Sequence, residues 1–164
     1  MITSPIIVLN SDKSIVYKLT KEGVIYHVND YFTEISGYEK SEIIGKPIEY
    51  LKPYHTPITI YGVLMDALDK KKNTNIILKD KTKDGRIYWF ITEFIFNNDK
   101  DGNCATFLIK RSKAPIKPIP TLDRFYKILN KIEKHSGLEV AETYLRGFTE
   151  ETGMSFNDYT KTLM

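Results

Sequence analysis

Two short runs near the start of the chain, Ile15-Val16-Tyr17-Lys18-Leu19 and Val24-Ile25-Tyr26-His27-Val28, are rich in β-branched and aromatic residues and flank Lys21-Glu22-Gly23. That pattern predicts a β-hairpin closed on a glycine-containing turn. Asn29-Asp30 then halts the strand, because short polar side chains satisfy the free amides at a helix start. A short helix over residues 31–36 follows, with Gly37 as its left-handed cap. Residues 39–52 are interrupted by Gly45 and Pro47 and bounded by Pro53, so only short helical turns fit there. Thr56-Pro57 reads as a cap followed by a first-turn proline. Ile60, Val63, Leu64, Ala67 and Leu68 then recur with helical spacing as far as the solvated Lys70-Lys71-Lys72. Three further strands are expected over residues 75–82, 86–96 and 105–111, joined by turns at Asp84-Gly85 and at Asp99-Lys100-Asp101-Gly102.

The longest of these strands has no polar face. Tyr88, Phe90, Phe94 and Phe96 alternate with Ile87, Trp89, Ile91 and Ile95, whereas an antiparallel sheet usually turns one polar face to water. The outer face therefore needs a cover: the N-terminal segment with Ile6-Ile7-Val8-Leu9, the C-terminal helices or a second subunit. The first or the last is the expected one. Three prolines within residues 113–120 predict an extended linker. Beyond it, the stripes Phe125, Ile128, Leu129, Ile132 and Ala141, Tyr144, Leu145, Phe148 predict two short helices that turn back on each other at Ser136-Gly137. Ser155, with Asp158 three residues on, caps a last turn.

Strand, strand, helices and three strands imply an α+β fold, a five-stranded antiparallel sheet with short helices on one face. The expected organisation is an N-terminal cap (1–13) whose run Pro5-Ile6-Ile7-Val8-Leu9 reads as an extra strand or a cap, the sheet domain (14–112), the linker (113–120) and a small helical extension (121–164). At 164 residues with 41% hydrophobic content, the chain supports one core and an appendage. No apolar run is long enough for membrane insertion, and Met1-Ile2-Thr3-Ser4-Pro5 lacks the basic and apolar stretches of a secretion signal, so a cytoplasmic protein is expected. The net charge of +3 is mild and the lysines are dispersed, which argues against a nucleic-acid partner. His27, His55 and the single Cys104 do not form a spaced metal motif, and no nucleophile stands beside a base and an orienting group. Neither a metal site nor an enzyme is expected.

Asn29-Asp30 after the second strand, Lys83-Asp84-Gly85 and Tyr88-Trp89 resemble motifs of the PAS sensor family. Within it, the chain is most similar to the flavin-binding PAS domains of bacterial aerotaxis receptors and their energy-taxis relatives, over residues 14–113. The resemblance implies a bacterial, cytoplasmic sensory module, related to redox or energy taxis, that acts on a separate chemoreceptor or histidine-kinase-type protein and can form a homodimer. It also implies FAD as cofactor, held by Asn29, Lys52, His55, Tyr61, Asp80 and Trp89. A ligand-free adaptor for dimerisation or docking is the alternative.

The chain departs from the family pattern at three places. The family's Arg-His-Pro-Asp-x-Pro is here Lys52-Pro53-Tyr54-His55-Thr56-Pro57, its Trp-x-Gly is Thr74-Asn75-Ile76, and its Lys-Asn-Arg is Lys79-Asp80-Lys81. The flavin site is thus degenerate relative to the family, and Asp80 replaces an amide donor by a negative charge. Two shorter likenesses lack their context. Gly102-Asn103-Cys104 resembles the cysteine motif of blue-light flavin domains but falls in the last hairpin. Residues 149–159 resemble the segment between the helix-turn-helix units of arabinose-regulator-type transcription factors, without either unit.

Overall fold

The computed structural model describes residues 5–164, so the leader reading at Met1 to Ser4 lies outside the described residues. In chain order the elements are β1 (Ile6–Ile7), β2 (Ser14–Thr20), β3 (Ile25–Val28), α1 (Asp30–Ser36), α2 (Ile58–Asp69), β4 (Ile77–Lys81), β5 (Ile87–Asn98), β6 (Cys104–Lys113), α3 (Ile119–Ser136), α4 (Leu138–Thr152) and α5 (Phe156–Leu163). Two 3-10 turns, Lys40–Glu42 and Ile48–Leu51, lie between α1 and α2.

The β2–β3 hairpin turns at Gly23, whose φ of +83° is open to glycine at little cost. Helix α1 closes on Gly37 at φ +75°. Asn29 stands at the N-cap position, but its side chain bonds elsewhere: Nδ2 donates to the Ser14 carbonyl (2.8 Å), and Oδ1 accepts from the Val16 amide (3.0 Å). It staples the start of α1 to β2 rather than capping the helix.

The sheet has six strands, in the order β1-β5-β6-β2-β3, with β4 pairing the other side of β5. The expected five antiparallel strands are present, and β1 adds a parallel pairing through Ile6–Ile87 and Ile7–Tyr88. The cause is the end of β6, where Lys113 pairs with Phe90 and leaves the first residues of β5 without a neighbour on that side. The N-terminal run fills the gap instead of lying across the outer face.

That face is covered chiefly by α3. Tyr126 is buried and its hydroxyl donates to the Ile77 carbonyl at 2.7 Å, while Lys79 pairs with Asp123 at 2.6 Å and lies 5.5 Å over the Trp89 ring. Trp89 is buried as a result, whereas Ile95 farther along β5 stays half-exposed. The expected cover, an N-terminal run or a partner, is thereby corrected at Trp89: the chain supplies its own helix.

The proline segment is shorter than the linker read from sequence. Strand β6 runs to Lys113, and α3 starts at Ile119 with Pro118 at its cap and Pro120 in its first turn. A first-turn amide has no intrahelical partner, so proline there breaks nothing. The sheet-facing stripe of α3 is Leu122, Tyr126 and Leu129, so Ile128 of the expected stripe is instead 43% exposed, as is Tyr144 on α4. Phe125 turns to α4 and α5, with its ring 4.9 Å from Phe148 and 5.7 Å from Phe156. Helix α3 therefore has two apolar faces, and α4 and α5 pack on the second. Ser155 caps α5 as expected, its hydroxyl accepting from the Asp158 amide at 3.1 Å.

Candidate functional site

The residue that organises the site is Arg111, the last inward position in the alternation Phe107, Ile109, Arg111 of β6. It is only 3% exposed. A buried guanidinium needs partners for its N–H groups and a counter-charge. Nη1 donates to Asp80 Oδ2 on β4 at 3.0 Å and to the Tyr17 hydroxyl on β2 at 3.3 Å, and Nη2 donates to the Leu51 carbonyl. Its flat face lies 4.4 Å from the Phe90 ring centroid. Burial alone works against the charge, but the Asp80 carboxylate and its hydrogen bond to the guanidinium oppose that, so the group stays protonated.

Asp80 joins this pair to the loop before α2. Its Oδ1 accepts from the Tyr54 amide at 3.1 Å and from the Lys81 amide at 2.8 Å. The negative charge that distinguishes this position from the family's amide is thus matched by Arg111 of the same chain.

Above the pair opens a cavity of about 350 Å³ between the sheet, α1 and the two 3-10 turns. Tyr17, Tyr88 and Phe32 give it aromatic walls, and Lys52 and Lys81 stand among its exposed lining. Burial raises the Tyr17 phenol to about 12, with Arg111 partly opposing, and raises Tyr88 well above the ordinary tyrosine range. Both are protonated hydroxyls at neutral pH. The mouth continues into a groove with Tyr38, Tyr54 and Lys83, where Lys81 lies 5.0 Å over the Tyr54 ring and Lys83 lies 5.3 Å over Tyr38.

Of the six residues named from sequence, Lys52 and Asp80 meet in this cavity. Tyr61 stands nearby on α2, with Lys52 Nζ 5.7 Å from its ring and its hydroxyl buried without a partner. Asn29 is engaged by the β2 backbone, Trp89 is on the opposite face of the sheet, and the exposed His55 stacks on Tyr54 at 3.9 Å with its carbonyl bonded by Asn130. Partial burial, then Lys79 and Lys81, lower the His55 pKa from its usual value. Arg111, Tyr17 and Tyr88 were not read from the sequence as site residues. The signal for Arg111 was there: a cation on the buried side of a strand needs an acid, and Asp80 had the matching placement on β4.

Among the described residues, no group of three or more His, Cys, Asp or Glu is arranged for a metal ion, and no helix is long and apolar enough to cross a membrane. A PAS domain profile matches residues 12–110. The aerotaxis receptor of Escherichia coli is 26% identical over 141 residues, 84% of this chain and 28% of that protein. The bacterioopsin transcriptional activator of Halobacterium salinarum is 25% identical over 88 residues, 54% of this chain and 13% of that protein. The chain spans less than a third of the length of these curated relatives. Among solved structures, the light state of the blue-light photoreceptor Aureochrome1 LOV superposes with TM-score 0.59 at 18% identity, over 69% of this chain and 91% of that one. The LOV domain of a blue-light activated histidine kinase from Erythrobacter litoralis gives TM-score 0.53 at 18% identity, over 60% of this chain and 94% of that one. At such identity these two speak for the fold alone. The fold, the profile match and the aerotaxis-receptor relative agree, and the chain belongs to the PAS family of sensory domains.

Proposed function

We propose that this chain is a cytoplasmic bacterial sensory module of the redox or energy-taxis kind, whose sensing site is the cavity above Arg111 and Asp80. The observation that carries the reading is the placement of a buried, internally neutralised ion pair at the base of an aromatic-walled cavity that opens to solvent. A volume of about 350 Å³ lies within the ~300–1,000 Å³ of small-molecule sites.

The lining fits a flavin. The polar edge of its ring alternates carbonyl acceptors with an N–H donor. Arg111 Nη2 keeps one N–H beyond its bond to Leu51 as a donor, and Asp80 Oδ2, with a single hydrogen bond, keeps acceptor capacity. Phe32, Tyr17 and Tyr88 would flank the ring, and Lys52 and Lys81 would meet negative charge at the mouth. When bound, a flavin supplies reversible redox chemistry. The protein's part is to hold Arg111 against Asp80, so that a change of charge in the cavity alters how tightly this pair grips Leu51 and Tyr54. From that loop the change reaches α2 and α3, which would present it to a receptor or histidine-kinase-type partner without chemistry on a substrate. The similarity to the aerotaxis receptor supports a signalling partner of the receptor kind.

Purified protein tests the reading. It should be yellow, or become so with added flavin, with visible bands that bleach on reduction. Arg111→Ala should lose the colour. Colourless protein that takes up no flavin would remove the redox version and leave the ligand-free adaptor.

A further inference from the structure

A second, much smaller void of about 10 Å³ lies between α2 and the sheet, lined by Leu51, Tyr61, Leu64, Leu78, Thr92 and Arg111 among others. Among the described residues, three atoms of its lining have no hydrogen-bond partner although buried: Tyr61 Oη, Thr92 Oγ1 and Arg111 Nε. Thr92 and Arg111 are 2% and 3% exposed. Tyr61, Thr92 and Arg111 come from three different elements, α2, β5 and β6, so their convergence is a product of the tertiary fold.

We propose that this void is a binding site for one internal water molecule, bridging Arg111, Thr92 and Tyr61. Size and chemistry both select water. The void is close to the ~10–15 Å³ that a single water centre needs, and a buried water normally makes 2–4 hydrogen bonds. Arg111 Nε–H can only donate, so the water accepts from it and offers its own hydrogens to hydroxyl oxygens. The Tyr61 phenol, whose pKa burial raises, is protonated at neutral pH and serves as either donor or acceptor. A cation is excluded by the guanidinium, and a larger anion does not fit. An apolar gas gains nothing from three polar partners. The site is independent of any flavin in the larger cavity, and it links the guanidinium at that cavity's base to helix α2 through Tyr61.

A high-resolution crystal structure of the full chain tests this. It should show a full-occupancy density peak about 2.7–3.2 Å from Arg111 Nε and from at least one of the two hydroxyl oxygens. In solution, the Arg111 Nε–H should give a cross-relaxation peak to a long-lived water. Both signals should be lost in the Tyr61→Phe, Thr92→Val double variant, which keeps the shape of the lining and removes its hydroxyls. A wild-type map with no peak, or with the three groups bonded directly to one another, overturns the proposal. So does a water that stays unchanged in the double variant. Should the variant fail to fold, the wild-type map decides.

Discussion

Arg111 and Asp80 act as a unit, and their energetics follow from burial. Arg111→Met leaves a largely buried carboxylate without its counter-charge, a change that costs about 3–5 kcal/mol when a buried pair is broken. The lower end applies because the Asp80 side chain keeps 23% exposure. Adding Asp80→Asn removes the stranded charge while keeping an acceptor for the Tyr54 and Lys81 amides. The double variant should recover about 1 kcal/mol or more of the loss in denaturant unfolding, and strictly additive losses would contradict the coupling. The tyrosines carry a second prediction. Unfolded tyrosine ionises near pH ~10, whereas burial raises Tyr17 to about 12 and also raises Tyr88 and Tyr126. Their protonated forms are favoured by the fold, so their contribution is complete below pH ~10 and is lost progressively above it, for Tyr17 by about 12. Ultraviolet titration should show these three of the 11 tyrosines ionising only as the chain unfolds; eleven tyrosines titrating together in folded protein would refute it. The family resemblance named Lys52 and Asp80, and both line the cavity. Only the need of a buried cation for an acid could match Asp80 with Arg111, since no local pattern joins residues 31 positions apart.

Helix α2 shows what periodicity reveals and what it hides. Its stripe was readable, and Ile60 and Leu64 are core residues. Its cap was not. Pro57 rather than Thr56 occupies the N-cap, and the first free amides are satisfied by Glu133 of α3, which accepts from Ile58 N at 3.1 Å and from Thr59 N at 2.7 Å. The Thr59 hydroxyl donates to the same carboxylate at 2.6 Å. A capping acid 74 positions away leaves no local sequence signal. Glu133→Ala should cost about 1–2 kcal/mol, the scale of a lost cap, and should speed amide exchange at Ile58 and Thr59. Unchanged exchange there would deny the clamp. The faces of α3 were half legible for a related reason: an amphipathic stripe identifies one buried side, and this helix has two.

At the scale of the whole molecule, the doubly apolar β5 correctly foretold a covered sheet, while the choice of cover depended on contacts that only the folded chain displays. Truncation after Pro118 removes α3, α4 and α5 and uncovers Trp89 and Ile77. Size-exclusion chromatography should then show self-association or aggregation, and an unchanged monomer would argue that the helices are dispensable to the sheet. Helix α3 also holds the loop and helix start beside the cavity. Arg111 holds Leu51, Asp80 holds Tyr54, Asn130 holds the His55 carbonyl and Glu133 holds the start of α2. Hydrogen exchange of the full chain, compared between oxidised and reduced protein in the presence of flavin, tests this account most directly. It predicts altered exchange at Ile58, Thr59 and along α3, with the β2–β3 hairpin unchanged; identical exchange at α2 and α3 in protein that demonstrably holds flavin would contradict it.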